Sequence, residues 1–191
     1  MKLALVVPCY NEEEVLEDTT KQLCKLFDKL LEKGKIDEDS YILFVNDGSK
    51  DQTWNLISKF NEQEKWVAGL NLAANVGHQN ALYAGLMSSY KNVDATISID
   101  ADLQDPPELI PEMLKLWEEG NEVIYGKRKT REGESHFKLF TAKMFYKTLN
   151  ALSDVEIPKD TGDFRLVDRK VVDTINSLPE HNKFLRGLFS W

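Results

Sequence analysis

The sequence predicts an α/β fold built on a mainly parallel central sheet, and three observations carry that prediction. Short apolar runs rich in β-branched residues alternate with segments of helical periodicity, in the order β-α-β-α-β-α-β-α-β. Such alternation implies right-handed crossovers and neighbouring parallel strands. The first run, Leu3-Ala4-Leu5-Val6-Val7, is continuously apolar, as expected of a strand buried on both faces. Finally, each strand of the series ends in a short polar stretch: Pro8–Glu12, Asn46–Ser49, Asn75–His78, Asp100–Gln104 and Gly126–Arg128.

Taken in order, the elements follow from local rules. After the first strand, Asn11 and Glu14 have capping-box spacing. Leu16, Thr19, Leu23, Leu26, Phe27, Leu30 and Leu31 keep helical spacing until Gly34. Tyr41 to Val45 forms the second strand, and Ser49 with Gln52 repeats the capping pair before a helix reaching about Gln63. Val67 to Leu72 is a third, weaker strand, followed by a helix carrying Leu82, Leu86 and Met87. Thr96, Ile97 and Ile99 make a short buried strand. Asp105 before Pro106 and Pro107 reads as a helix N-cap followed by proline. Glu122 to Tyr125 is the fifth strand.

Beyond Gly126 the pattern is less regular. A polar link over residues 127–134 leads to Phe137, Phe140, Thr141, Met144, Phe145, Thr148, Leu149 and Leu152, which are spaced as an amphipathic helix. Asp160-Thr161-Gly162-Asp163-Phe164-Arg165-Leu166-Val167 reads as a turn entering a strand, with Asp168 as cap of the next helix. The apolar ending Phe184–Trp191 reads as a cut inside a longer protein.

Composition removes several function classes. The net charge of −8 argues against nucleic acid as a partner. Cys9 and Cys24 lack CxxC spacing, so neither a zinc site nor a disulfide framework is expected, and a reducing cytoplasm fits best. A strand beginning at Leu3 leaves no room for a secretory signal. No apolar run approaches the roughly 20 residues that a membrane span needs.

Chemistry concentrates where the central strand ends. Asp100 and Asp102, with the Gln104 carbonyl, form an all-oxygen ligand set suited to Mg²⁺ or Mn²⁺. Such an ion holds a diphosphate and neutralises the charge that develops as it leaves. Favourable placement of acids near a helix N-terminus explains Asp105 and Glu108, but does not require Asp100 and Asp102. In an open parallel sheet, ligands bind outside the carboxyl ends of the strands, where the five polar stretches converge. Turn chemistry accounts for any one of them singly.

Other familiar sites fail on spacing. Five residues separate Gly120 from Gly126-Lys127, and Arg128 follows, so no phosphate-binding P-loop is present. No GxGxxG follows the first strand, and neither GxSxG nor HExxH occurs. His78, His136 and His181 are scattered and default to surface or core roles.

Six stretches together resemble inverting family 2 glycosyltransferases of the GT-A, Rossmann-like nucleotide-diphospho-sugar transferase fold. They are Val7-Pro8-Cys9-Tyr10-Asn11-Glu12, Val45-Asn46-Asp47-Gly48-Ser49-Lys50-Asp51, Asn75-Val76-Gly77, residues 100–108 (DADLQDPPE), Gly126-Lys127-Arg128 and residues 160–165 (DTGDFR). DADLQDPPE and DTGDFR narrow the resemblance to polyprenyl-phosphate glycosyltransferases, the group of bactoprenol glucosyltransferases and dolichol-phosphate mannose synthases.

The resemblance implies one GT-A catalytic domain over 1–191, with a nucleotide-sugar part over 1–126 and an acceptor-side part over 127–191. Pro8, Tyr10 and Glu12 would line the nucleoside pocket, and Asp47 would read the base or ribose. Asp100 would face the donor, with Asp100, Asp102 and Gln104 as the Mg²⁺ or Mn²⁺ set. Arg128, Arg131 and Arg165 would gather phosphate oxygens, a role suited to the guanidinium fork. Asp102, Asp163 and Arg165 would carry catalysis. The chain departs from the family at Asn46, where many members have aspartate. Relatives also continue into membrane-spanning helices, so the whole protein is expected at the cytoplasmic face of a membrane.

The expected reaction moves a sugar from a nucleotide-sugar, with UDP favoured over GDP, to a polyprenyl phosphate. The alternative is a family 2 enzyme acting on a saccharide hydroxyl. A hydroxyl nucleophile needs a positioned base, whereas a phosphate monoester, with a second pKa near ~6, is already largely ionised at neutral pH. Gly162-Asp163-Phe164-Arg165 stands in place of the Glu-Asp pair of hydroxyl-directed relatives and favours the phosphate acceptor. Asp163 stays open as base or acceptor-orienting group. A nucleotidylyltransferase lacks its glycine-rich signature here, and a haloacid-dehalogenase-type phosphatase lacks its aspartate pair after the first strand. A non-catalytic binding module is the remaining alternative. Between Lys127 and Lys147 seven basic residues face two glutamates. With the Phe137–Leu152 helix they form either a membrane-surface contact or a face packed on the sheet.

Overall fold

The computed structural model describes residues 1–127, 161–179 and 183–190. Within them, β1 (Leu3–Cys9), α1 (Leu16–Glu32), β2 (Tyr41–Asn46), α2 (Thr53–Gln63), β3 (Val67–Asn71), α3 (His78–Ser89), β4 (Ala95–Ser98), α4 (Ile110–Glu118) and β5 (Val123–Lys127) follow in the predicted order. Then come β6 (Thr161–Asp168), α5 (Arg169–Ser177) and α6 (Leu185–Ser190). The Phe137–Leu152 segment lies outside the described residues, as do Arg128 and Arg131.

The sheet order is β3-β2-β1-β4-β6-β5. β1 pairs in parallel with β2 and β4, and β2 with β3. β6 enters antiparallel between β4 and β5, with Ile97 opposite Leu166 and Tyr125 opposite Arg165. β5 therefore does not lie beside β4, as simple βαβ succession would have it. The late strand takes the place instead, and this brings Asp163 alongside the end of β4.

Strand alternation explains the layers. Leu3, Leu5 and Val7 pack with Leu23 and Phe27 of α1, Ile57 of α2 and Leu114 of α4 on one face. Val6, Leu43 and Val45 pack with Leu82 and Leu86 of α3, Ile175 of α5 and Phe189 of α6 on the other. β1 is buried along its whole length, with helices covering both faces as a parallel sheet requires. Each fully buried leucine or phenylalanine here contributes about 1.5–3 kcal/mol.

The helix starts differ from the capping-box expectation. α1 begins only at Leu16, and no side chain caps it. Asn11 instead adopts a left-handed conformation, with φ 56°. Its amide donates to Ser49 Oγ at 2.9 Å, and its Oδ1 accepts from Lys50 N at 2.9 Å. Glu12 N donates to Thr53 Oγ1 at 2.8 Å, while Glu13 Oε2 accepts from Gln52 N at 2.8 Å. Polar side chains that look local in sequence thus satisfy amides across two turns, binding the ends of β1 and β2 together. The proline stretch also differs: a 3₁₀ turn, Pro107–Leu109, precedes α4 without a side-chain cap, and Asp105 is buried. Asp168 does cap α5, accepting from Lys170 N at 2.8 Å.

Gly48 shows how tightly the next loop closes on this pair of turns. Its φ is +63°, and a Cβ there would lie 2.5 Å from Asn75 N and 2.6 Å from Ala74 C. Gly34 has the same φ, but a Cβ there would meet nothing within 4 Å. We expect Gly34→Ala to cost only the left-handed penalty of about 1–2 kcal/mol. Gly48→Ala adds an overpacking cost of about 1–3 kcal/mol. Urea unfolding of the two variants tests this, and equal losses would show that the loop yields freely at Gly48.

Candidate active site

The carboxyl ends of the parallel strands open into a cleft of about 450 Å³. Pro8, Tyr10 and Glu12 reach it from the end of β1, and Asp47 from the end of β2. Asp100 and Asp102 follow β4, while Gly77 and His78 open α3. Asp163 on β6 and Arg186 on α6 complete the wall. Seven of the expected site residues are therefore brought together: Pro8, Tyr10, Glu12, Asp47, Asp100, Asp102 and Asp163.

Asp47 is nearly inaccessible and accepts from Val76 N at 2.7 Å and Gly77 N at 3.0 Å. It holds the start of α3 against the end of β2, using one bond on each carboxylate oxygen. Asn46 is buried. Its amide donates to Asn71 Oδ1 at 2.7 Å, and its Oδ1 accepts from Ser49 N at 3.2 Å. Cys9 sits in the cleft floor, where burial pushes its thiol well above the ordinary range and leaves it a poor nucleophile.

One wall is acidic. Burial raises the Asp100 carboxyl, with Asp163 and Asp102 adding to the rise and His78 opposing it. Glu12 is also raised, by burial and then by Asp102 and Asp100. Asp100 Oδ1 is closed off from solvent and accepts no hydrogen bond. Asp102 is exposed, and its Oδ1 accepts from Gln104 N at 3.1 Å across a turn in which Leu103 has φ 48°. An unsatisfied carboxylate oxygen among crowded acids fits a hard divalent cation. Among the described residues no three acidic, histidine or cysteine side chains would hold an ion by themselves. Asp100 and Asp102 would thus supply part of a shell completed by phosphate and water, the usual habit of Mg²⁺. Gln104 is exposed and does not line the cleft.

The opposite wall is organised by Asp163, whose side chain is only 7% exposed. Arg186 forms a fork on it, Nε to Oδ1 at 3.1 Å and Nη2 to Oδ2 at 2.9 Å. His78 Nε2 stands 3.3 Å from Oδ2, Gln79 Nε2 donates to the same oxygen at 3.4 Å, and Arg165 Nη2 donates to Oδ1 at 3.4 Å. Burial alone would raise the Asp163 carboxyl, but the bonds from His78 and Arg186, with the charges of both arginines, hold it far below the ordinary carboxylate range. His78 is shifted the other way, its imidazolium favoured chiefly by the bond to Asp163. His78 Nε2 also lies 3.6 Å from Asp100 Oδ1, so one imidazole spans the two walls.

Arg165 is buried behind this carboxylate. Its Nη2 donates to Gly162 O at 2.8 Å, and its guanidinium carbon stands 4.8 Å from the Phe189 ring centre. It does not line the cleft. Sequence reasoning passed over His78 and Arg186. His78 belonged to a polar strand-end stretch, and Arg186 is the single charge in the apolar ending. Those were the signals available.

The glycosyl transferase family 2 model matches residues 4–175. An uncharacterized glycosyltransferase, YkcC, of Bacillus subtilis (strain 168) is 46% identical over 191 residues, covering 100% of this chain and 57% of its own length. A bactoprenol glucosyl transferase of Shigella phage SfX is 40% identical over 191 residues, covering 100% of this chain and 60% of its own length. The crystal structure of glucosyl-3-phosphoglycerate synthase from Mycobacterium tuberculosis, in complex with Mn²⁺, UDP and phosphoglyceric acid, superposes with a TM-score of 0.60 at 18% identity. That match covers 89% of this chain and 56% of the other. The chain thus spans 57–60% of the length of the two sequence relatives.

The Asp163 network has a stability consequence. A depressed native carboxyl contributes stability that is present above the ordinary value of about 3.9 and is lost as pH falls through the native one. Asp163→Asn leaves two arginines facing a neutral group, and removing one partner of a buried ion pair costs about 3–5 kcal/mol. Urea unfolding should show that loss in full at pH 7, with the gap starting to narrow only once pH falls below about 4 and narrowing further as acid approaches the native carboxyl's range. A gap that does not narrow with acid would mean the carboxylate charge is not what Asp163 supplies.

Proposed function

The chain belongs to glycosyltransferase family 2, and from that premise we propose that its cleft moves a sugar from a nucleotide-diphospho-sugar, preferably a uridine one, to a polyprenyl phosphate. A phosphate oxygen of the acceptor forms the new bond to the anomeric carbon, on the face opposite the bond that breaks to the diphosphate. The sugar is inverted, and nucleoside diphosphate is released. The full-length protein works at the cytoplasmic face of a membrane, where its acceptor lies. No helix among the described residues is long and apolar enough to cross one.

The observation that carries this reading is the state of Asp163. A carboxylate held far below its ordinary range by His78 and Arg186 is a weak proton acceptor at neutral pH. An acceptor hydroxyl would need a stronger base, whereas an ionised phosphate monoester needs none. The 40% identity to a bactoprenol glucosyl transferase points the same way.

On the donor side, Tyr10 and Glu12 flank the nucleoside, and Asp47 sets the loop that faces it. Asp100 and Asp102 would hold Mg²⁺ or Mn²⁺, which when bound supplies positive charge to the leaving diphosphate. The crystal structure that contains Mn²⁺ with UDP supports a divalent ion and leaves Mg²⁺ an equal candidate. Arg128 and Arg131 are proposed as further phosphate contacts. Arg165, packed between Asp163 and Phe189, supports the acceptor wall from behind.

The test is a panel of nucleotide-sugars offered to full-length protein with undecaprenyl phosphate or with saccharide acceptors, and product detection by mass spectrometry. A lipid-linked sugar is expected. Transfer to saccharide hydroxyls with none to the lipid phosphate would overturn the reading. In the same preparation, Asp102→Asn should weaken Mn²⁺-dependent binding of UDP by about tenfold, a loss of ~1.4 kcal/mol. Unchanged affinity and metal dependence would remove Asp102 from the ion's shell.

A further inference from the structure

We infer that Thr19 of α1 is a positioning residue that sets Asp100 and Asp102 relative to one another, resting on the ion-holding role proposed for those two carboxylates. Thr19 shares the buried face of α1 with Leu16 and Leu23 and is 2% exposed. A hydroxyl buried on an apolar face must find a partner. Thr19 Oγ1 donates to Ala101 O at 2.6 Å, 82 residues further along the chain. Its neighbour Thr20 does what helical threonines commonly do, donating to Leu16 O at 2.7 Å, one turn back. Thr19 instead reaches out of its helix to the residue that separates the two carboxylates.

Within the turn that follows β4, Leu103 N donates to Asp100 O at 3.2 Å and Gln104 N to Asp102 Oδ1 at 3.1 Å. Both bonds are internal to the turn and do not place it against the rest of the fold. Leu103 is left-handed, with φ 48°, a conformation that costs a leucine free energy and calls for support from outside. The bond from Thr19 supplies it. Ala101 O belongs to the planar peptide that leads into Asp102, so holding that oxygen holds the plane. The direction in which Asp102 leaves the backbone, relative to Asp100, is thereby set. The two carboxylates stand in different surroundings, Asp102 exposed and Asp100 with one oxygen closed off from solvent. The backbone between them therefore decides whether both reach one ion. Mg²⁺ tolerates little departure from its preferred geometry, and groups that hold the ligands tune metal affinity.

Calorimetry on full-length protein tests this, reading UDP affinity with Mn²⁺ against UDP affinity in EDTA. Thr19→Val keeps the branched shape and removes the donor, whereas Thr19→Ser keeps the donor. The gain in affinity that Mn²⁺ brings should fall about tenfold in Thr19→Val, with metal-free affinity unchanged, and should return in Thr19→Ser. A merely structural threonine would lower the melting temperature of Thr19→Val without moving that ratio. An unchanged ratio in folded Thr19→Val, an equal fall in both affinities, or a ratio lost as fully in Thr19→Ser overturns the inference. Should Thr19→Val fail to fold, Thr19→Ala and Thr19→Ser, which differ by the hydroxyl alone, decide the matter on the same ratio. Asp102→Asn, measured alongside, separates the two levels of the argument. A ratio that collapses in Asp102→Asn and not in Thr19→Val sinks the role of Thr19 and leaves the ion assignment standing. UDP binding that ignores Mn²⁺ in wild type sinks both. Failure of transfer to a lipid phosphate shows in the reaction products and leaves these ratios as they are.

Discussion

A carboxylate taken out of water must be matched by donors or it loses its proton-free state, and Asp163 is matched on both oxygens. That requirement ties together parts of the chain with no local reason to meet. β6 supplies the carboxylate, α3 the imidazole and α6 the guanidinium fork. The antiparallel entry of β6 beside β4 follows the same logic, because it sets Arg165 opposite Ser98, two residues before Asp100. Ser98 Oγ donates to the Asp163 carbonyl, fastening the strand ends where the cleft begins. Around this point the Asp163 side of the cleft is held together because breaking any one contact leaves a charge poorly paired.

The side of the cleft at the ends of β1 and β2 is held by a different device. Asn11, Glu12 and Glu13 trade hydrogen bonds with Ser49, Lys50, Asp51, Gln52 and Thr53, so the turns after β1 and β2 stabilise one another. Asp47 then bonds the start of α3. None of these contacts needs a ligand. This side of the cleft is built from backbone amides capped by neighbouring turns, so its shape is held by contacts within the chain.

These two devices mark what sequence could and could not disclose. Helical periodicity and apolar strands announced the α/β alternation, because those patterns report burial directly. The paired acids Asp100 and Asp102 were legible because strand, turn and carboxylate spacing coincide within a few residues. The capping boxes misled for a physical reason: capping rules consider only the nearest amides, and here longer-range amides compete for the same oxygens. His78 and Arg186 were hidden because their meaning depends on a partner 85 and 23 residues away. No local pattern encodes that the last helix returns to the first turn of α3. Arg165 was legible as important in its motif, but its direction, inward against Phe189, is a property of packing.

The charge distribution across the cleft separates two roles that phosphate must play in the proposed reaction. Glu12, Asp100 and Asp102 repel a diphosphate unless a divalent ion intervenes, and the Glu12 and Asp100 carboxyls are raised, by burial first and by neighbouring acids after it. On the Asp163 side, by contrast, His78 and Arg186 bring cations into direct contact with the carboxylate. In the proposed reaction, metal dependence therefore falls to the side that carries Asp100 and Asp102. The His78 imidazole, 3.6 Å from Asp100 and 3.3 Å from Asp163, faces both carboxylates. A cation on that one nitrogen lowers both carboxyls and so offsets the repulsion between them.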